Sequence, residues 1–128
     1  MTKNEFQKSV RTEFSFLLEH GFTESVLTPD SIYVTYRKEN YAIELKLEDY
    51  GTLIIAYLIR KGSPEGFVNV GDIIEKIIPA EAIPFPCNYS ADFNQEKAIQ
   101  YYAGCLKKIL PEFWDNKDAL WLELIGKS

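Results

Sequence analysis

The chain has one histidine, His20, and two cysteines, Cys87 and Cys105, among its 128 residues. That scarcity argues against nucleophilic catalysis, which needs a nucleophile beside a base; His20 is the only imidazole, and its position reads as a helix end. Neither cysteine has neighbours in sequence that would obviously lower its pKa. There is no Cys-x-x-Cys pair, no His-x-x-x-His pair and no EF-hand loop, so no metal site is expected. Neither glycine-rich nucleotide motif occurs, and no cofactor is expected. Nineteen acids make many carboxylate pairs, none of which stands out for acid–base work.

Basic residues are also sparse. Fourteen Lys and Arg stand against nineteen Asp and Glu, a net charge of −5, and no basic run exceeds two residues. Affinity for phosphate backbones comes largely from basic side chains displacing counterions, so nucleic acid is excluded as an expected partner. No apolar stretch approaches the ~20 residues that span a bilayer, and no membrane partner is expected. Met1-Thr2-Lys3-Asn4-Glu5 leads into an amphipathic pattern rather than an apolar leader. The expected location is cytoplasmic, with both thiols reduced and a Cys87–Cys105 bridge as the minor alternative.

What the chain does have is a core. Apolar residues make up 46% of it and charged residues 26%, and its length suits one globular domain over residues 1–128. Eight Phe, eight Tyr and two Trp are the one compositional excess. Tyr and Trp join an apolar body to a polar tip, which suits half-buried surfaces and interfaces.

Residues 3–20 read as a helix. Phe6, Val10, Phe14, Leu17 and Leu18 recur at three- and four-residue spacing, Thr2 and Glu5 have capping-box spacing, and Gly21 suits the left-handed position past the end. The period then changes to two. Ile32, Val34 and Tyr36 alternate with polar residues, as do Tyr41, Ile43, Leu45 and Leu47, which predicts two strands. Pairing Tyr36 with Tyr41 around a four-residue loop keeps the apolar side chains on one face. A three-residue loop at Asp49-Tyr50-Gly51 then sets Glu48 opposite Thr52 and Leu47 opposite Leu53. In that register Ile54, Ala56 and Leu58 lie on the second face, which something must cover or bind.

Phe67-Val68 reads as a short fourth strand. Asn69 is placed to cap a helix bearing Ile73, Ile74, Ile77 and Ile78 that ends at Pro79. Residues 79–91 read as an irregular strap. Asp92 and Gln95 have capping spacing for a helix ending at Leu110 before Pro111, with Ala98, Tyr101, Tyr102, Cys105, Leu106 and Ile109 as its buried stripe. Asp115 or Asn116 caps a last helix carrying Leu120, Trp121, Leu124 and Ile125. The fold class is therefore α+β: an antiparallel meander of three to four strands packed with an N-terminal helix and C-terminal helices.

Two groups qualify as contact residues for a protein partner. Glu39, Glu44, Glu48 and Asp49 lie on or beside one hairpin, and Glu44 and Glu48 share its polar face. The aromatic set Tyr33, Tyr50, Tyr89, Trp114 and Trp121 offers anchors, with Trp114 and Trp121 near each other in sequence.

The opening Phe16-Leu17-Leu18-Glu19-His20-Gly21-Phe22, the meander after it, Tyr102-Ala103-Gly104-Cys105-Leu106-Lys107-Lys108 and Pro111-Glu112-Phe113 together carry a resemblance. In the style and order of these segments the chain resembles small bacterial immunity proteins of polymorphic-toxin and contact-dependent inhibition systems. The resemblance implies a non-catalytic protein that binds and neutralises one toxin, often through acidic side chains; a basic toxin domain is the expected partner. The alternative is a small-ligand or peptide-binding domain with an aromatic pocket between sheet and helices.

Overall fold

Thr2 starts the first helix, α1 (Lys3–Glu13), with a full capping box: its hydroxyl accepts from the Glu5 N–H, and the Glu5 carboxylate accepts from the Thr2 N–H. In this computed structural model the helix does not run unbroken to residue 20. It breaks at Phe14-Ser15 and restarts as the single turn α2 (Phe16–Glu19). The break turns Phe14 and Leu17 into the core and leaves Leu18 exposed, so the expected stripe is correct at four of its five positions. Gly21 has φ +89°, the left-handed position that ends the unit.

The description covers residues 1–25, 27–48, 53–62, 66–82 and 94–125. Within them five strands form one antiparallel meander in the order β1 (Thr23–Glu24), β2 (Tyr33–Lys38), β3 (Tyr41–Glu48), β4 (Leu53–Arg60), β5 (Val68–Asn69). The expected three to four strands become five because two residues after Gly21 add an edge to β2. Helix α3 (Val70–Ile77) and a 3₁₀ turn (Pro79–Glu81) follow, then α4 (Gln95–Asp115) and α5 (Lys117–Leu124). Asn69 stands at the start of α3 without a side-chain cap bond, whereas the Asn94 side chain caps α4 by accepting from the Lys97 N–H. Asp92 and most of the 79–91 strap lie outside the described residues.

Both hairpin registers differ from expectation. Lys38, not Tyr36, faces Tyr41, so β2 and β3 are joined by the two-residue turn Glu39-Asn40. This shift of two residues keeps every side chain on its expected face. Glu39 has φ +55°. Short hairpins need a positive φ to match the right-handed twist of their strands.

The second shift is of one residue. Glu48 faces Leu53, and Leu47, Leu45 and Ile43 face Ile54, Ala56 and Leu58. A one-residue slip inverts a strand, so Ile54, Ala56 and Leu58 belong to the core, not to a second face. The reason is legible in β4 itself: Leu53-Ile54-Ile55-Ala56-Tyr57-Leu58-Ile59 is apolar throughout, and alternation cannot choose its inner side. The intervening loop, with Asp49 and Tyr50, lies outside the described residues.

The helices cover one face of the sheet. Phe6, Val10, Phe14 and Leu17 meet Val34, Tyr36, Ile43 and Leu45, and Ile73, Ile74, Ile99, Leu106 and Phe113 complete the same core. Pro111 does not end α4, which continues for four more residues to Asp115. Leu110 and Phe113 are buried on either side of it, and their packing carries the helix across the lost hydrogen bond. The buried stripe of α4 includes Ile99, Ala103 and Leu110, and Tyr101 and Tyr102 are only half-buried. Among the described residues no helix is long and apolar enough to cross a membrane.

Candidate functional site

With every helix on one side, the other face of the sheet carries no described element. Its rows follow from the register. Thr35, Glu44, Tyr57 and Asn69 form the middle row, Tyr33, Lys46 and Ile55 the next, and Arg37, Ala42 and Ile59 the row nearest the Glu39 turn. Glu48 lies opposite Leu53 at the far end. Tyr33 is 39% exposed and Phe67 36%, while Ile55, Tyr57 and Ile59 are half-buried. The Phe67 ring packs on Tyr57 at 4.2 Å between centroids. This is a broad surface of aromatic and branched side chains with a few charges set into it.

The charges are not equivalent. Lys46 pairs with Glu48, and its ammonium lies 5.3 Å from the Tyr33 ring centroid. The bond to Glu48 raises the Lys46 pKa above its ordinary value. Glu44 accepts from the Thr35 hydroxyl at 3.1 Å, and among the described residues no cation pairs with it. Burial, and after it the charge of Glu48, raises the pKa of the neighbouring Tyr57 phenol.

The expected acidic group is thus divided. Glu44 and Glu48 share the open face, but Glu39 stands at the opposite end of β3, roughly 25 Å from Glu48 at ~3.4 Å per residue. There its carboxylate accepts from the Trp114 indole N–H at 3.1 Å. Asp49 lies outside the described residues, as do Tyr50 and Tyr89.

The aromatic pair is divided too. Trp121 is 3% exposed and packs edge-on against Tyr41, so it is a core residue and not a surface anchor. Trp114 is half-buried and already engaged. It meets Phe22 edge-on at 5.1 Å, and the ammonium groups of Lys117 and Lys38 lie 4.7 and 5.1 Å from its ring centroid. Below it, Tyr41 donates to Asp118 at 2.6 Å. This cluster fastens the α4–α5 corner to the tip of the first hairpin.

Beside the cluster is a cavity of about 180 Å³, with His20, Phe22, Lys38, Trp114 and Asp115 in its walls. Its aromatic walls make it one candidate for the expected aromatic pocket among the described residues. Its Lys38 ammonium is already spoken for, donating to the His20 carbonyl at 2.8 Å. His20 is exposed at the end of α2. Cys105 is a buried free thiol whose pKa burial pushes up, while Cys87 lies outside the described residues.

Sequence reasoning missed Ile55, Tyr57 and Ile59 as surface residues because it placed β4 one residue out of register. Compared with known protein families, curated proteins and solved structures, the chain matches none.

Proposed function

We propose that this protein is a non-catalytic binding domain of the immunity type, which engages and neutralises a basic protein domain through the open face of its sheet. The observation that carries this reading is the composition of that face: Tyr33, Ile55, Tyr57, Ile59 and Phe67 surround Glu44 and Glu48 with no described element over them. Aromatic and branched side chains supply contact area, and exposed apolar surfaces of this kind mark interaction sites. The net charge of −5 favours encounter with a basic partner. The cavity beside Trp114 is the weaker candidate, because its cation and its indole both have internal partners.

The reading is tested with the product of the gene adjacent to its own, by measuring association rates over a range of salt. Charge reversal at Glu44 and Glu48 together is expected to slow association about tenfold or more and to flatten its salt dependence, with the far-ultraviolet circular dichroism unchanged. An unchanged rate and salt slope removes this face from the account.

A further inference from the structure

Glu44 occupies a singular position. It lies on β3, the central strand of five, in the middle row of the open face. Tyr57 stands directly opposite it on β4 and Thr35 on β2. On one side of that row lie Tyr33, Lys46 and Ile55, and on the other Arg37, Ala42 and Ile59. Of the cations in these rows Lys46 is engaged with Glu48, and among the described residues Arg37 forms no ion pair with Glu44, so this carboxylate relies on the Thr35 hydroxyl and on water. Once a partner covers the face, that water is expelled, and a carboxylate left without a counter-charge strongly opposes the complex.

From this, and resting on the binding role proposed above, we infer that Glu44 is the specificity-determining anchor of the face and that it takes an arginine side chain presented by the protein partner. Two observations select the occupant. First, Glu48 is already compensated by Lys46, whereas among the described residues Glu44 is bonded by the Thr35 hydroxyl and by no cation. Second, the face already seats one cation in this manner, since the Lys46 ammonium lies over the Tyr33 ring while pairing with Glu48. A cation at Glu44 meets the equivalent pair of groups, a carboxylate and the adjacent Tyr57 ring. A guanidinium suits them better than an ammonium, because its plane stacks on an aromatic ring while its fork donates two bonds to a carboxylate. A partner offering an apolar or acidic group there is rejected by the cost of stranding the charge.

The test uses N-acetyl-arginine amide as probe and its neutral isostere N-acetyl-citrulline amide as control, each titrated into the ¹⁵N-labelled full chain and followed by amide shifts. The expected result is a saturable response at Thr35, Glu44 and Tyr57, with a dissociation constant on the order of 10 mM. The response is absent with the citrulline compound, weakened about tenfold in Glu44→Gln and retained in Glu39→Gln. Gln keeps an acceptor for Thr35, so the variant preserves the fold, which its unperturbed remaining spectrum verifies. Shifts spread evenly over all surface acids, or an unaltered response in Glu44→Gln, overturn the inference. If the charge reversal above abolishes partner binding while the arginine probe ignores Glu44, the face still binds a protein and only the arginine anchor is lost.

Discussion

At the scale of single residues, Glu39 concentrates two opposing effects. Its left-handed backbone is unfavourable for a residue with a Cβ by about 1 kcal/mol, while its carboxylate gains the Trp114 indole bond. Removing the side chain therefore has an outcome that depends on what replaces it. Glu39→Ala loses the bond and keeps the strain, whereas Glu39→Gly loses the bond and relieves the strain. Glycine is expected to be the more stable variant by about 1 kcal/mol in urea denaturation, the reverse of the usual order away from turns. Alanine equal to or above glycine would show that the turn is not strained.

Tyr41 gives a pH window. Its hydroxyl is buried and donates to Asp118, and burial first, then that bond and the carboxylate's charge, pushes its pKa up to about 12. Burial raises Tyr36 and Tyr102 in the same direction, Tyr36 with help from Glu24. The native state therefore holds protons that the unfolded chain releases near pH 10. The stabilisation from these phenols is complete below that pH and declines as pH rises from about 10 to about 12. Unfolding free energy measured along this series is expected to fall, and Tyr41→Phe is expected to make the fall shallower. A flat profile through pH 12 would remove the Tyr41–Asp118 bond as a contributor.

At the scale of elements, the types were legible and the joints were not. The capping box at Thr2, the alternation in β2 and β3 and the isoleucine pattern of α3 each identified an element. The register of β4 was hidden, because a strand apolar on both sides gives no inward direction until its partner is known. For the same reason half of the candidate face was invisible: Glu44 and Glu48 could be placed, but Ile55, Tyr57 and Ile59 could not. Trp121 was misread because a lone tryptophan in a short helix carries no signal that separates anchor from core.

Pro111 shows local preference yielding to packing. It leaves the Lys107 carbonyl without its usual donor inside α4, yet the helix continues to bury Phe113 and to place Trp114. Pro111→Ala restores that hydrogen bond at an exposed position. It is expected to raise unfolding free energy by about 2 kcal/mol, less than a full interior-proline penalty because the unfolded chain gains entropy. A loss of stability on thermal unfolding would mean that the proline ring itself is needed to seat Trp114.

At the scale of the whole molecule, the described helices all lie on one side of the sheet. Two ends of the chain contribute helices to the same face of a five-stranded meander. The fastening at Glu39, Trp114, Lys38 and Lys117 ties the α4–α5 corner to one end of that sheet. The opposite face, which no described element covers, carries Tyr33, Tyr57 and, in its middle row, Glu44. If the proposed binding role holds, substitutions on the face without a described helix alter binding and those on the helix-packed face alter folding.

The measurement that tests this most directly is hydroxyl-radical footprinting of the chain alone and in complex with the product of the adjacent gene. Tyr33, Tyr57 and Phe67 are expected to be protected in the complex, with exposed Leu18 and Leu122 modified as before. Protection of Leu18 or Leu122 with Tyr33, Tyr57 and Phe67 unaltered would contradict it.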